Sequence, residues 1–277
     1  MHHHDGDQPG APIAPPVADR EYGPGQEAQC IPNGRSVPMM NAFTWIADAW
    51  WLFKQNPVMW IGFMLLYAAV PTILSYIPYA VVIRIPVQTL LVAGVVYSCD
   101  AFLRGRACAF GDFFAGFTRR TCPLVIVGLI NFGFMVMLGS IPHRLLGSGA
   151  IHEMSADPRS LFAHISSLTA TGITPEMICA GVLFIAGMVI CAMAFWFAPA
   201  LVMLHGMSSV KAIRMSFFAW LKNILPGIIL FLVTIMLIAV SMIQFFFVLN
   251  LLATILTYFM LICTYTSYRD IFFDQEN

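Results

Sequence analysis

Charge is the scarcest ingredient of this sequence. Asp, Glu, Lys and Arg together make up 10% of its 277 residues, where an average soluble domain carries roughly 25%. Hydrophobic residues make up 59%. So few charges cannot cover the water-facing surface of a fold this size, which excludes an ordinary soluble domain and leaves an integral membrane protein. An excess of one sign is missing as well, because 14 bases balance 14 acids. That argues against a nucleic-acid partner, which selects a basic surface. Clustered cysteine is also absent: the seven, at 30, 99, 108, 122, 179, 191 and 263, contain no CxxC pair. Neither a disulfide framework nor a zinc site is indicated. Most sit in or beside apolar runs and read as small packing residues.

Signatures of catalysis are missing too. The sequence has no HExxH, no GxSxG elbow and no P-loop. No pair of carboxylates lies within its apolar blocks. The run His2-His3-His4 with Asp5 and Asp7, and the set His143, His152, His164, Glu153 and Asp157, match no metal-ligand spacing. No enzymatic activity, metal or cofactor is expected.

Residues 1–40 lack any apolar stretch of the signal-peptide kind. They hold seven Pro and five Gly and read as a disordered tail. The first span is then expected to act as the insertion signal. Residues 41–273 read as the membrane domain and 274–277 as a short C-terminal tail.

A span needs about 20 mostly apolar residues. Six fit: 57–77, 79–102, 122–141, 176–204, 224–242 and 246–268. The last two share 46 residues, Asn223 to Tyr268, without a formal charge, too many for one crossing. The blocks are solid rather than alternating, which opposes a β-barrel. The expected fold is an all-α bundle of six transmembrane helices. Eleven of the 14 bases fall on one side of this threading, leaving Arg84, Arg144 and Arg159 on the other. The positive-inside rule then puts both termini in the cytoplasm of a cell (inner) membrane. Residues 142–176 become the one sizeable outer loop, with a short helix starting at Asp157-Pro158.

An internal repeat runs through this layout. An aromatic, amphipathic stretch ending in a base and then Pro precedes each odd span: Trp50 to Pro57, Phe113 to Pro123 and Phe217 to Pro226. The spacing predicts three similar helical hairpins, each entered from an interfacial segment. In the third segment Val210, Ile213, Phe217, Leu221 and Ile224 share a face, with Lys211, Arg214 and Lys222 toward the other. Ser208 or Ser209 is expected to cap its start, and Gly206 to end span 4. In the first, Asn41 is expected as cap, with Phe43, Ile46, Trp50 and Phe53 on one face. Lys54, Arg119, Arg120, Lys211, Arg214 and Lys222 are the candidate contacts for lipid phosphate. They also suit a plainer task, snorkelling bases in an aromatic belt that fixes depth.

Polar groups inside the spans are few, and ionisable ones there are expensive. Arg84 sits near the outer surface. Asp100 is four residues from Arg104 and can pair with it. Asn131 and Gln244 suit hydrogen bonds between helices. Pro199 is expected to kink span 4.

Four segments carry a resemblance: Trp50 to Gly62, Phe195 to Val202, Ser216 to Pro226 and Tyr265 to Phe272. Together they resemble an uncharacterised family of bacterial six-span inner-membrane proteins. That family is distantly similar to the membrane domain attached to some glycerophosphodiester phosphodiesterases. The resemblance covers about residues 41–273 and implies the fold and the compartment, with no catalytic residues to transfer. The functional expectation is a non-enzymatic envelope protein that binds membrane lipids or a membrane protein partner. The alternative is a transporter or channel for a small or lipidic substrate, with Asp100, Asn131 and Gln244 facing a cavity.

Overall fold

The computed structural model describes residues 31–106, 109–156, 175–241 and 247–273. Among these the chain is helical, with no strand. In order come α1 (Asn41–Gln55), α2 (Pro57–Ser75), α3 (Val81–Leu103), a 3-10 turn (Phe110–Phe114) and α4 (Ala115–Thr118). Then follow α5 (Thr121–Ala156), α6 (Pro175–Phe195), α7 (Ala198–His205), α8 (Ser209–Lys222), α9 (Ile224–Ser241) and α10 (Phe247–Phe272). Four stretches are long and apolar enough to cross a membrane: α2, α3, Thr121–Ile141 of α5, and Ile178–His205. A fifth is added if α8 and α9, bent by 99°, count as one broken span. This is a multi-pass α-helical membrane protein. Its outward side chains agree: Leu65, Ile73, Val136, Met137, Val182, Leu183, Leu232 and Met236 are all exposed. An apolar surface that wide requires lipid to cover it.

Local sequence explains where the helices begin and break. Pro57 opens α2, where its missing N–H would have no helical partner anyway. Asn56 caps that helix, its side-chain oxygen accepting from the Met59 N–H at 3.3 Å. Pro123 and Pro226 fall at the third positions of α5 and α9. Gly206 ends α7 at φ 62, as its position predicts. Pro199 parts α7 from α6, as expected.

Two expectations are corrected. Asn41 is the first residue of α1 and does not cap it; its side chain is drawn to Asp270 instead. Ser208 holds the cap position of α8 without a capping bond, and Ser209 donates to the Pro123 carbonyl at 2.7 Å. The helix begun at Thr121 continues through 142–156, 36 residues in all, beyond the apolar stretch that ends at Ile141. The short helix predicted from Asp157 lies outside the described residues.

The core is organised around α3, which packs on α2, α5, the 3-10 turn, α4, α7 and α10. Half of its apolar window is buried inside the protein, against 22% or less for the other three crossing stretches. Small residues allow this. A Cβ on Gly94 would run into the Phe113 carbonyl, one on Gly116 into the Leu90 carbonyl, and one on Gly128 into Pro86. Without a hydrophobic drive between helices in lipid, such close backbone packing is what holds a bundle together. Between α3 and α5 the expected amphipathic segment is a 3-10 turn followed by the four-residue α4.

Candidate functional site

Polar contacts between distant segments gather around the last turns of α10. Arg84 opens α3 and Arg104 follows its close, about 30 Å apart at 1.5 Å per residue. At the Arg104 end, the last turns of α10 are buried on all sides. Thr264, Tyr265, Thr266, Ser267, Tyr268, Arg269, Asp270, Ile271 and Phe272 are all buried.

Asp270 is the centre of this polar lock. Its carboxylate accepts from Arg35 at 2.6 Å, Asn41 at 2.7 Å and the Trp45 indole at 2.8 Å. Arg35 Nε also donates to the Asp270 carbonyl at 2.6 Å. A buried charge costs several kcal/mol unless paired and hydrogen-bonded, and here it is both. Residues 31–37 form a strap over the helix end. The Ile31 and Arg35 N–H groups donate to the Phe272 and Ile271 carbonyls, each at 2.9 Å. The Asn223 side chain donates to the Arg35 carbonyl and accepts from the Val37 N–H, both at 2.8 Å. Residues 31–40, assigned to the tail by composition, are thus tied into the bundle from 31 onward, because these bonds outweigh what Pro and Gly content suggests. The rest of the tail lies outside the described residues.

The α6–α7 break is filled from across the fold. Ser216, fully buried on α8, donates to the Met193 carbonyl at 2.8 Å and accepts from the Phe197 N–H at 3.0 Å. Both backbone groups belong to the break, so one hydroxyl supplies the partners that the interrupted helix lacks. Around it Phe197 stacks on Trp220 at 5.7 Å and meets Phe272 edge-on at 5.5 Å. Segments far apart in the chain therefore converge on one cluster: α1 on α10 through Trp45 and Asp270, α8 on the α6–α7 break, and the break on α10.

The intramembrane polar candidates separate cleanly. Asp100 pairs with Arg104 at 2.8 Å and accepts from the Tyr265 hydroxyl at 3.3 Å. Asn131 accepts from the Cys191 thiol of α6 at 3.3 Å. Arg84 is exposed at the other end of α3. Gln244 lies outside the described residues.

The six basic candidates do not form one site. Lys54, Lys211 and Arg214 are exposed on α1 and α8. The Arg120 guanidinium rests against Gly206, whose lack of a Cβ makes the room. Lys222 is taken out of the set, because its ammonium donates to the Gly34 carbonyl at 3.0 Å and anchors the strap. Arg119 lies over the Tyr97 ring, 4.7 Å from its centroid. Arg106, which no sequence signal singled out, lies 5.2 Å from the same centroid and donates to the Tyr97 hydroxyl at 3.1 Å. The two guanidinium carbons are therefore within about 10 Å of each other, a repulsion of about 0.4–1.7 kcal/mol at effective dielectric constants of 80 to 20. Ring contacts of about 0.5–1 kcal/mol each offset that.

Helix α8 carries three separate faces. At about 100° per residue, one arc holds Ser209, Ala212, Met215, Ser216, Ala219 and Trp220, all buried. The next is apolar: Ile213 and Phe217 are half-buried against the core, and Val210 and Leu221 are exposed, Val210 at 68%. The third holds Arg214, Phe218, Lys211 and Lys222. Helix α1 repeats the order: Ala42, Trp45, Asp48, Ala49 and Leu52 are buried, Phe43 and Trp50 are exposed, and Lys54 follows. Periodicity revealed the apolar and basic faces. It missed the packing face, because that face is built of small residues and Trp rather than of a hydrophobic run.

No protein-family model, curated protein or solved structure matches the chain.

Proposed function

We propose that this is a six-span protein of the bacterial cytoplasmic membrane, with both termini in the cytoplasm, which binds anionic lipid and is not an enzyme. The observation that carries the reading is the three-faced α8. A helix packed on protein along one side, apolar on the second and basic on the third fits the boundary between acyl chains and phosphates. The 99° bend into α9 lays α8 along that plane when α9 crosses. In this reading α2 with α3, α5 with α6–α7, and α9 with α10 are three repeated hairpins, entered from α1, from the 110–120 connection and from α8. The resemblance to a six-span family supports the same count. Asp100 and Asn131 are already bonded within the bundle, which favours binding over transport.

The test uses Lys54, Arg119, Arg120, Lys211 and Arg214 changed to Gln, with Lys222 kept because it holds the strap. Each base near an anionic surface contributes about 1 kcal/mol. Wild-type protein taken gently from mixed phosphatidylglycerol and phosphatidylcholine membranes should carry phosphatidylglycerol above its bulk fraction. The variant should carry it near that fraction. No enrichment on the wild type overturns the proposal.

A further inference from the structure

The 106–120 connection differs from the other basic surfaces in being pre-organised. Arg106 and Arg119 come from the two ends of the connection, yet both guanidiniums rest on one ring, Tyr97 of α3. Arg106 is further fixed by its bond to the Tyr97 hydroxyl. Both arginines are exposed, and among the described residues no carboxylate pairs with either. Like charges gathered on one side chain with no counter-charge present an open position for an anion. Planar guanidiniums grip phosphate by paired N–H bonds, and a group already held in place loses little freedom on binding. The same connection exposes an aromatic run, Phe110, Phe114 and Phe117, in successive contact at 6.1 Å. A phosphate grip and an apolar strip on one short segment match a molecule with a phosphate head and a fatty tail.

We propose that Arg106 and Arg119, steadied by Tyr97, form a discrete site for the phosphate of one anionic lipid, with its acyl chain along Phe110, Phe114 and Phe117. The site rests on the lipid-binding reading above and sharpens it from a diffuse basic surface to one retained molecule. Arg84, exposed at the other end of α3, serves as the contrast.

Native mass spectrometry of the full chain, titrated with phosphatidylglycerol or phosphatidylcholine, reads the difference. The wild type should retain one phosphatidylglycerol. The pair Arg106→Gln with Arg119→Gln should weaken that adduct about tenfold or more. Arg106→Lys with Arg119→Lys, which keeps the charge and loses the planar fork, should fall between. Arg84→Gln should leave the adduct unchanged, and millimolar inorganic phosphate should not displace it. Undiminished retention by the Gln pair overturns this site while leaving the lipid-binding reading intact. Displacement by inorganic phosphate overturns it too, assigning the arginines to a soluble phosphate. A wild type without preference for phosphatidylglycerol overturns both.

Discussion

The two ends of the bundle are built on different principles. At the Arg104 end, buried acids, aromatic rings and a strap from the N-terminal side lock four distant segments together. At the Arg84 end of α2 and α3, the chain turns through Tyr76, Ile77 and Tyr79, all exposed, with Tyr79 held at φ 63. Among the described residues, the first end is fastened by specific polar bonds, while the α2–α3 turn presents apolar and aromatic side chains outward. The contrast teaches that in a chain with so few charges, the ones spent inside are concentrated where the helices must be held in register.

If that contrast is right, the largest effect of any single substitution should come from Asp270→Ala. It leaves Arg35, Asn41 and Trp45 without their shared acceptor, and breaking a buried pair costs about 3–5 kcal/mol. Arg35 is 31% exposed and can regain water, so the lower part of that range is expected. Unfolding by SDS titration in mixed micelles would measure it, and a change below about 1 kcal/mol would remove Asp270 from the centre of the lock. Next is Ser216→Ala, which strands the Met193 carbonyl and the Phe197 N–H and should cost about 1–3 kcal/mol by the same titration. Stability equal to wild type would mean that the α6–α7 break satisfies itself. The smallest effect should come from Arg84→Gln, an exposed change at the opposite end, within about 0.5 kcal/mol. A loss as large as that of Ser216→Ala would show that the Arg84 end is fastened as well.

Much of the fold was legible because its signals are local. Pro57, Pro199 and Gly206 do in the structure what their chemistry dictates at those positions. The Asp100–Arg104 pair was readable because helix geometry places residues four apart side by side. Asp270 and Ser216 gave no such signal, although both lie in segments that carry the resemblance. A carboxylate at the end of an apolar helix and a serine on an amphipathic one are ordinary until their partners are known. Those partners come from far along the chain: Arg35 is 235 residues from Asp270, and Gly34 is 188 from Lys222.

Composition and apolar block length by themselves determined that this chain lives in a membrane as a set of helices, because too few charges and about 20 apolar residues at a time leave no other solvent for it. Helical periodicity determined where its basic and aromatic faces lie. Only the tertiary structure decided what individual bases hold, tying Lys222 to the Gly34 carbonyl and setting Arg106 and Arg119 on Tyr97. A side chain's task depends on what it meets, and those meetings are made by packing across the bundle rather than by spacing along the chain.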